Sequence, residues 1–200
     1  MTVNVVAVTF DEQSKAYQAL STLKRIDGEG RVTVKSAAVV ERDPSGRLQI
    51  PEDADNAGGE SFAEGSLIGM LVGVVGGPIG MLLGLGTGGL IGGADDLDRA
   101  DTQDQVLAEF GRQVPPGKNA LLAEVDEVAE EVIDGEMKAL GGVVLRRSAA
   151  DVLAEMEAAQ QAADAAEKEN RRIAREKKKN EMREKYEERK AHLREKLHMG

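Results

Sequence analysis

The first part of the chain combines an apolar run with a segment of helical periodicity. Residues 3–10 are apolar at both odd and even positions, which is typical of a central strand buried on two faces. After this run, small and aliphatic residues recur three or four positions apart and predict a helix, at Ala16, Ala19, Leu20 and Leu23. Asp11 is placed to cap the start of that helix, and the DGEG sequence at 27–30 ends it.

The same signals predict the remaining elements around a central insert. Strands are expected at 32–40, 47–50, 119–125 and 143–145, and helices at 101–112 and 128–140. Asp43-Pro44-Ser45-Gly46 supplies the turn before the short return strand. Pro115-Pro116-Gly117 stops one helix, and Gly141-Gly142 ends the next. From residue 149 the chain has no Gly or Pro before its last residue, so we expect one long helix.

This order of elements predicts an α+β fold: a ferredoxin-like sheet with helices on one face, an inserted hairpin and a long C-terminal helix. A flavodoxin-like topology is the alternative, but it normally has a fifth strand. The predicted organisation is a first half of the ferredoxin-like domain at 1–56, a helical hairpin at 57–94, the second half of the domain at 95–148 and a charged helix at 149–200.

The hairpin is predicted from two glycine series between residues 65 and 92, and the stretch 66–94 contains no charged residue. In each series glycine returns at every fourth position, which places it on one face of a helix. The series are Gly65, Gly69, Gly73 and Gly77, then Gly80, Gly84, Gly88 and Gly92. Gly76, Gly77 and Pro78 lie between the two arms and predict the turn.

Such a glycine face points to close packing of helices. Each glycine costs a solvated helix about 1 kcal/mol relative to alanine, and that cost is offset where another helix approaches the bare backbone. A flexible linker would contain more polar residues. The sequence GLGTGG at 84–89 resembles a phosphate-binding loop, but no recognisable strand precedes it and no suitably spaced acidic residue follows.

Insertion of the hairpin into a bilayer is a second interpretation. A spanning helix needs about 20 apolar residues, and each arm is shorter than that. Acidic residues flank the stretch on both sides and no Lys, Arg, Trp or Tyr anchors it, which departs from the usual pattern of membrane helices. Burial within a protein assembly and re-entrant insertion by an oligomer both remain open.

Four segments resemble a bacterial family described as membrane proteins of unknown function. They are NVVAVTF near the start, the zipper GSLIGMLVGVVGGPIGMLLGLGTGGLIGG, the segment VPPGKNALLAEV, and EMKALGGVVLRRS. The resemblance covers about residues 3–148 and implies a ferredoxin-like frame interrupted by a glycine zipper, together with membrane association. It implies no catalytic residues, and the long C-terminal extension departs from the family pattern.

The C-terminal helix is Ala-rich at first and basic towards its end. A weak coiled-coil seam is expected at Val152, Met156, Ala159, Ala163, Ala166 and Ile173. From Arg171 onward there are 12 Lys and Arg against 6 Asp and Glu, on a chain of net charge −10. A solvated helix, docking on an acidic protein surface, and binding of nucleic acid or anionic lipid are the three interpretations. The candidate contacts are Arg171, Arg172, Arg175, Lys177, Lys178 and Lys179. Interspersed glutamates and a single aromatic residue argue against nucleic acid.

Candidate chemistry is sparse, and we expect no enzyme activity, no cofactor and no metal. The chain has no Cys, and its two His residues lie near the C-terminus. Asp95, Asp96, Asp98 and Asp101 cluster after the hairpin but lack the ligand order of a calcium loop. No basic region precedes the apolar start, so no signal peptide is predicted. The expected location is the cytoplasm, or the membrane from its cytoplasmic side.

Three functions follow from these patterns. The first is a non-catalytic structural protein that forms a large homo-oligomer through its glycine-zipper hairpins. The second is a pore or bilayer-remodelling protein that inserts the same hairpin into a lipid bilayer. The third is an adaptor that binds nucleic acid or anionic lipid through the basic C-terminal helix.

Overall fold

The computed structural model describes residues 2–44, 47–51, 66–77 and 106–198; for positions 184, 187, 188 and 191–198 it describes the backbone alone. The strands are β1 Thr2–Thr9, β2 Thr33–Arg42, β3 Leu48–Gln49, β4 Asn119–Glu127 and β5 Val143–Ser148. The helices are α1 Gln13–Gly28, α2 Leu67–Gly76, α3 Val106–Gln113, α4 Glu130–Ala139 and α5 Ala149–His198. Each lies where the apolar periodicity predicts an element.

The five strands form one antiparallel sheet in the order β3-β2-β4-β1-β5. Without β3, the order β2-β4-β1-β5 is that of a ferredoxin-like βαββαβ fold, so the predicted α+β class is confirmed. β1 pairs with β4 on one side and with β5 on the other. Its two apolar faces therefore belong to a central strand, as its sequence predicts.

Helices α1 and α4 cover one face of the sheet. Their buried residues recur at helical spacing and pack against alternate residues of the strands. On the helices these residues are Ala16, Ala19, Leu23, Ile26, Ile133 and Met137, and on the strands they are Val6, Val8, Val39, Leu121, Ala123 and Val125. Gly141, at φ 79°, takes the left-handed conformation just after α4 ends.

The opposite face of the sheet is also covered by helices, so the expectation of helices on one face is wrong. Helix α2, helix α3 and the first turns of α5 pack there around Val5, Ala7, Val40 and Leu122 of the strands. The physical reason lies in the strands themselves. Their odd and even positions are both apolar, and each face then needs a cover to remove it from water.

The cap predicted for α1 is also wrong. Glu12, not Asp11, occupies the N-cap position, and its side chain makes no capping hydrogen bond. Helix α2 begins with a regular cap, because Ser66 Oγ accepts a hydrogen bond from the backbone N–H of Gly69 at 3.2 Å.

The chain divides into two compact units, Met1–Ala159 and Gln160–Gly200. Helix α5 contributes its first eleven residues to the larger unit, where Val152 and Met156 are buried. The smaller unit consists of the rest of that helix. Among the described residues, no helix combines the length and the apolar character that crossing a bilayer requires.

Candidate functional site

Helix α2 is the described part of the predicted glycine zipper, and its apolar side lies on the chain's own sheet. Ile68, Leu71, Val72 and Val75 are spaced three and four residues apart and are all buried there. Aliphatic side chains of this size are stable where lipid or protein removes them from water. The sheet and helix α3 of the same chain supply that cover.

The glycines of α2 lie on the flank next to the sheet edge and form one wall of an open groove of about 550 Å³. The other wall is β3 and the residues beside it, from Arg47 to Ile50, and Val72 also lines the groove. Glycine forms the helix wall at Gly69, Gly73, Gly76 and Gly77. The groove is apolar except for Arg47 and the side-chain amide of Gln49.

Three of these glycines have different surroundings. A Cβ atom on Gly76 would overlap the carbonyl oxygen of Leu48, and one on Gly77 would overlap the carbonyl oxygen of Gly73. Both glycines are therefore needed for packing within the chain. A Cβ on Gly73 would meet no described residue within 4 Å. The described part of the fold therefore gives no steric reason for glycine at position 73.

The outer side of α2 carries the exposed apolar atoms of this region. Met70 has 46% of its surface exposed, and Leu67 and Val74 are half-buried. Among the described residues there is no group of three or more His, Asp or Glu side chains that could hold a metal ion. The groove is suited to receive an apolar, closely fitting segment of polypeptide.

A buried arginine lies at the strand that forms the far wall. Arg42 pairs with Leu48 in the β2–β3 register and is almost fully buried. Burial lowers the pKa of its guanidinium, and the neighbouring Asp43 partly opposes that shift. The last residue of β2 thus places a buried guanidinium beside β3, the strand that forms the far wall of the groove.

The structure brings together only part of the predicted zipper. Gly69, Gly73 and Gly77 share the groove, and α2 ends at Gly76, where the turn was predicted. The other glycines of the two series lie outside the described residues, as does Pro78, and they are Gly65, Gly80, Gly84, Gly88 and Gly92. The second arm of the hairpin therefore stays a prediction.

The far wall of the groove was missed from sequence. The return strand was predicted at 47–50, but nothing in the linear pattern indicates that its backbone contacts the glycine at position 76. The available signal was Gly76, which lies outside the four-residue spacing and was assigned to the predicted turn alone.

The candidate cations all lie in the unit Gln160–Gly200. Arg171 pairs with Glu167, and Arg172 pairs with Glu169 and Glu176. The hydrogen bond between Arg172 and Glu169 raises the pKa of the arginine and lowers that of the glutamate. The other four cations are exposed and form no ion pair with a described residue, and they are Arg175, Lys177, Lys178 and Lys179.

Fold and groove together define an α+β protein with a glycine-lined surface at its sheet edge. The chain belongs to the family of proteins of unknown function DUF1269, whose family model matches residues 63–163, half of the chain. No curated protein and no solved structure matches the sequence. The matched part begins just before α2 and ends near the border of the larger unit. The membrane association and the zipper that the resemblance implied stay predictions.

Proposed function

We propose that this protein is a non-catalytic, self-assembling structural protein whose α2 groove receives a helix of a second copy. The observation that carries the proposal is that Gly73, in an apolar groove, has no described residue near the position of a Cβ atom. Glycine in a helix costs about 1 kcal/mol relative to alanine. Among the described residues, packing within the chain accounts for Gly76 and Gly77 but not for Gly73, and close contact with a helix of another copy would account for it.

The segment that fits the groove best is the second glycine series of another copy. Its glycines at 80, 84, 88 and 92 have the same four-residue spacing as those of the first arm. Two such faces approach closely enough for dispersion contacts and Cα–H···O hydrogen bonds along their length. Because the stretch 66–94 has no charge, its burial leaves no unpaired ion.

Burial of α2 favours assembly over bilayer insertion. Four of its apolar side chains already lie on the sheet of the same chain, and lipid cannot surround them while they remain there. Its glycine flank and its outer side are left for another contact. We place this assembly in the cytoplasm or at the cytoplasmic side of the membrane.

The test compares two helical glycines with open surroundings. A Cβ atom added to Gly73 in α2 or to Gly135 in α4 would have no described neighbour within 4 Å, so the first atom of a larger side chain meets the same surroundings at both positions. We expect Gly73→Leu to reduce the particle to single chains by filling the groove. Gly135→Leu, which leaves the groove unchanged, should keep the wild-type particle mass in light scattering.

An unchanged particle mass for Gly73→Leu would contradict the proposal. Circular dichroism of both variants checks that they fold. A wild-type chain that is a monomer in water and assembles only with detergent or lipid would instead support the bilayer interpretation of the hairpin.

A further inference from the structure

The basic part of α5 separates its charges onto two sides of the helix. At about 100° per residue, most of its cations from residue 171 to residue 190 fall within a sector of roughly 160°. We name this sector the cationic face. All of its residues are exposed, and they are Arg171, Arg172, Arg175, Lys178, Lys179, Met182, Arg183, Lys185, Tyr186, Arg189 and Lys190.

The opposite sector is acidic and polar. Glu169, Glu176 and Glu181 are exposed there, and by helical register positions 184, 187 and 188, also glutamates, fall in the same sector. Lys177 is the exception, a cation among these glutamates. By helical register, the glutamate positions that alternate with the cations along the sequence between 171 and 190 therefore fall outside the cationic sector.

Most cations of the cationic face form no ion pair with a side chain that the structure describes. The exceptions are the first two, since Arg171 is paired with Glu167 and Arg172 with Glu169 and Glu176. Met182 and Tyr186 lie in the middle of the face, with 66% and 65% of their surfaces exposed. An exposed aliphatic and an exposed aromatic side chain are thus bordered by lysine and arginine on both sides.

We propose that the cationic face binds the surface of an anionic phospholipid membrane, with the helix parallel to the membrane plane. A planar polyanion contacts one half of a helix, so the glutamate half is turned away from the lipid phosphates. Tyrosine and the stems of lysine and arginine suit the headgroup layer, where apolar and polar atoms meet. A nucleic-acid groove surrounds more of the helix and would bring glutamates close to phosphates, which makes it the poorer fit.

This inference is independent of the proposed self-assembly, because it concerns the unit Gln160–Gly200 alone. The first experiment measures co-sedimentation of the full-length protein with vesicles. Vesicles of phosphatidylcholine mixed with phosphatidylserine should bind the protein, and the binding should weaken as salt is added. Vesicles of phosphatidylcholine alone should not bind it.

Two adjacent lysines, one inside the cationic sector and one outside it, provide a matched pair of variants. Lys178 belongs to the cationic face and Lys177 to the acidic side. Neutralising one lysine near an anionic surface should weaken binding about fivefold, so Lys178→Gln should show that loss while Lys177→Gln changes binding little. By the same reasoning, Lys178, Lys179 and Arg183 changed together to glutamine should weaken binding on the order of a hundredfold.

Two outcomes would overturn the proposal. The first is an absence of binding to anionic vesicles, and in that case face-dependent binding to a DNA duplex or face-dependent self-association would identify the partner instead. The second is an equal loss of vesicle binding for the Lys177 and Lys178 variants. Circular dichroism confirms that each variant keeps its helix.

Discussion

Two glycines three residues apart in α2 illustrate how much depends on surroundings at the scale of single residues. Gly76 lies against the backbone of Leu48, and Gly73 has no described residue near the position of a Cβ atom. Both are in the same helix and both carry the same intrinsic helical cost. Their effects on folding should therefore differ in sign.

We expect Gly76→Ala to lower the free energy of unfolding by about 1–3 kcal/mol, since the added methyl must displace backbone that cannot rotate away. Gly73→Ala should raise the free energy of unfolding by up to about 1 kcal/mol through helix propensity. Denaturant unfolding of single chains, at a concentration below assembly, measures both. Equal effects would show that α2 does not contact β3 as described.

The four-residue spacing predicted a helix face with glycine on it, and Gly69 and Gly73 do lie on one flank of α2. Spacing alone does not distinguish a glycine that packs against its own chain, such as Gly76, from one with no described neighbour at the Cβ position, such as Gly73. That difference depends on where β3 returns, which is a tertiary contact between residues far apart in sequence.

At the scale of elements, β5 is tied to the neighbouring strands and to α4 by a buried ion-pair network. Arg146 on β5 donates to Glu127 on β4, with Nε to Oε1 at 2.7 Å, and to Asp134 on α4 at 2.8 Å. Asn4 on β1 donates to the same Glu127 oxygen at 3.0 Å. Burial lowers the pKa of Arg146, but its hydrogen bonds to Asp134 and Glu127 outweigh burial and raise it.

Removal of the arginine leaves a buried carboxylate without its counter-ion. The Glu127 side chain is 1% exposed, so Arg146→Ala should cost about 3–5 kcal/mol in the free energy of unfolding. The adjacent Arg147 is the control. Its side chain is 40% exposed and pairs with Glu109, so Arg147→Ala should cost about 1 kcal/mol or less. Similar losses for the two variants in urea unfolding would contradict this account of the network.

Elements were the most predictable level of this protein. Apolar periodicity and the Gly and Pro signals located every described strand and helix, because these signals are local. The second helical layer was missed since the sequence does not state which face of the sheet α2 and α3 cover. The network around Arg146 was missed for the same reason, as its members come from β1, β4, α4 and β5.

At the scale of the whole molecule, the border between the two units falls inside α5, after Ala159. The first turns of this helix belong to the core, because Val152 is fully buried and Met156 nearly so. The predicted border at residue 149 follows the start of the helix. The compact unit instead ends where the helix stops contributing buried side chains.

Truncation at these two borders should have different effects. A chain of residues 1–159 keeps the core and should retain the thermal unfolding midpoint of the larger unit. A chain of residues 1–148 loses two buried side chains and should be destabilised by more than the roughly 2–5 kcal/mol that shortening one buried methionine to alanine costs. Calorimetry compares the two, and equal midpoints would place α5 outside the core.

The strand order has a consequence for how the protein is made. β1 pairs only with β4 and β5, and β2 has only the two-residue β3 beside it until β4 is synthesised. The uncharged stretch 66–94 therefore leaves the ribosome before the sheet that covers its first part can form. At that stage the stretch can bind chaperones that recognise apolar segments. A pause in translation before residue 119 would lengthen the time during which the uncovered stretch can aggregate.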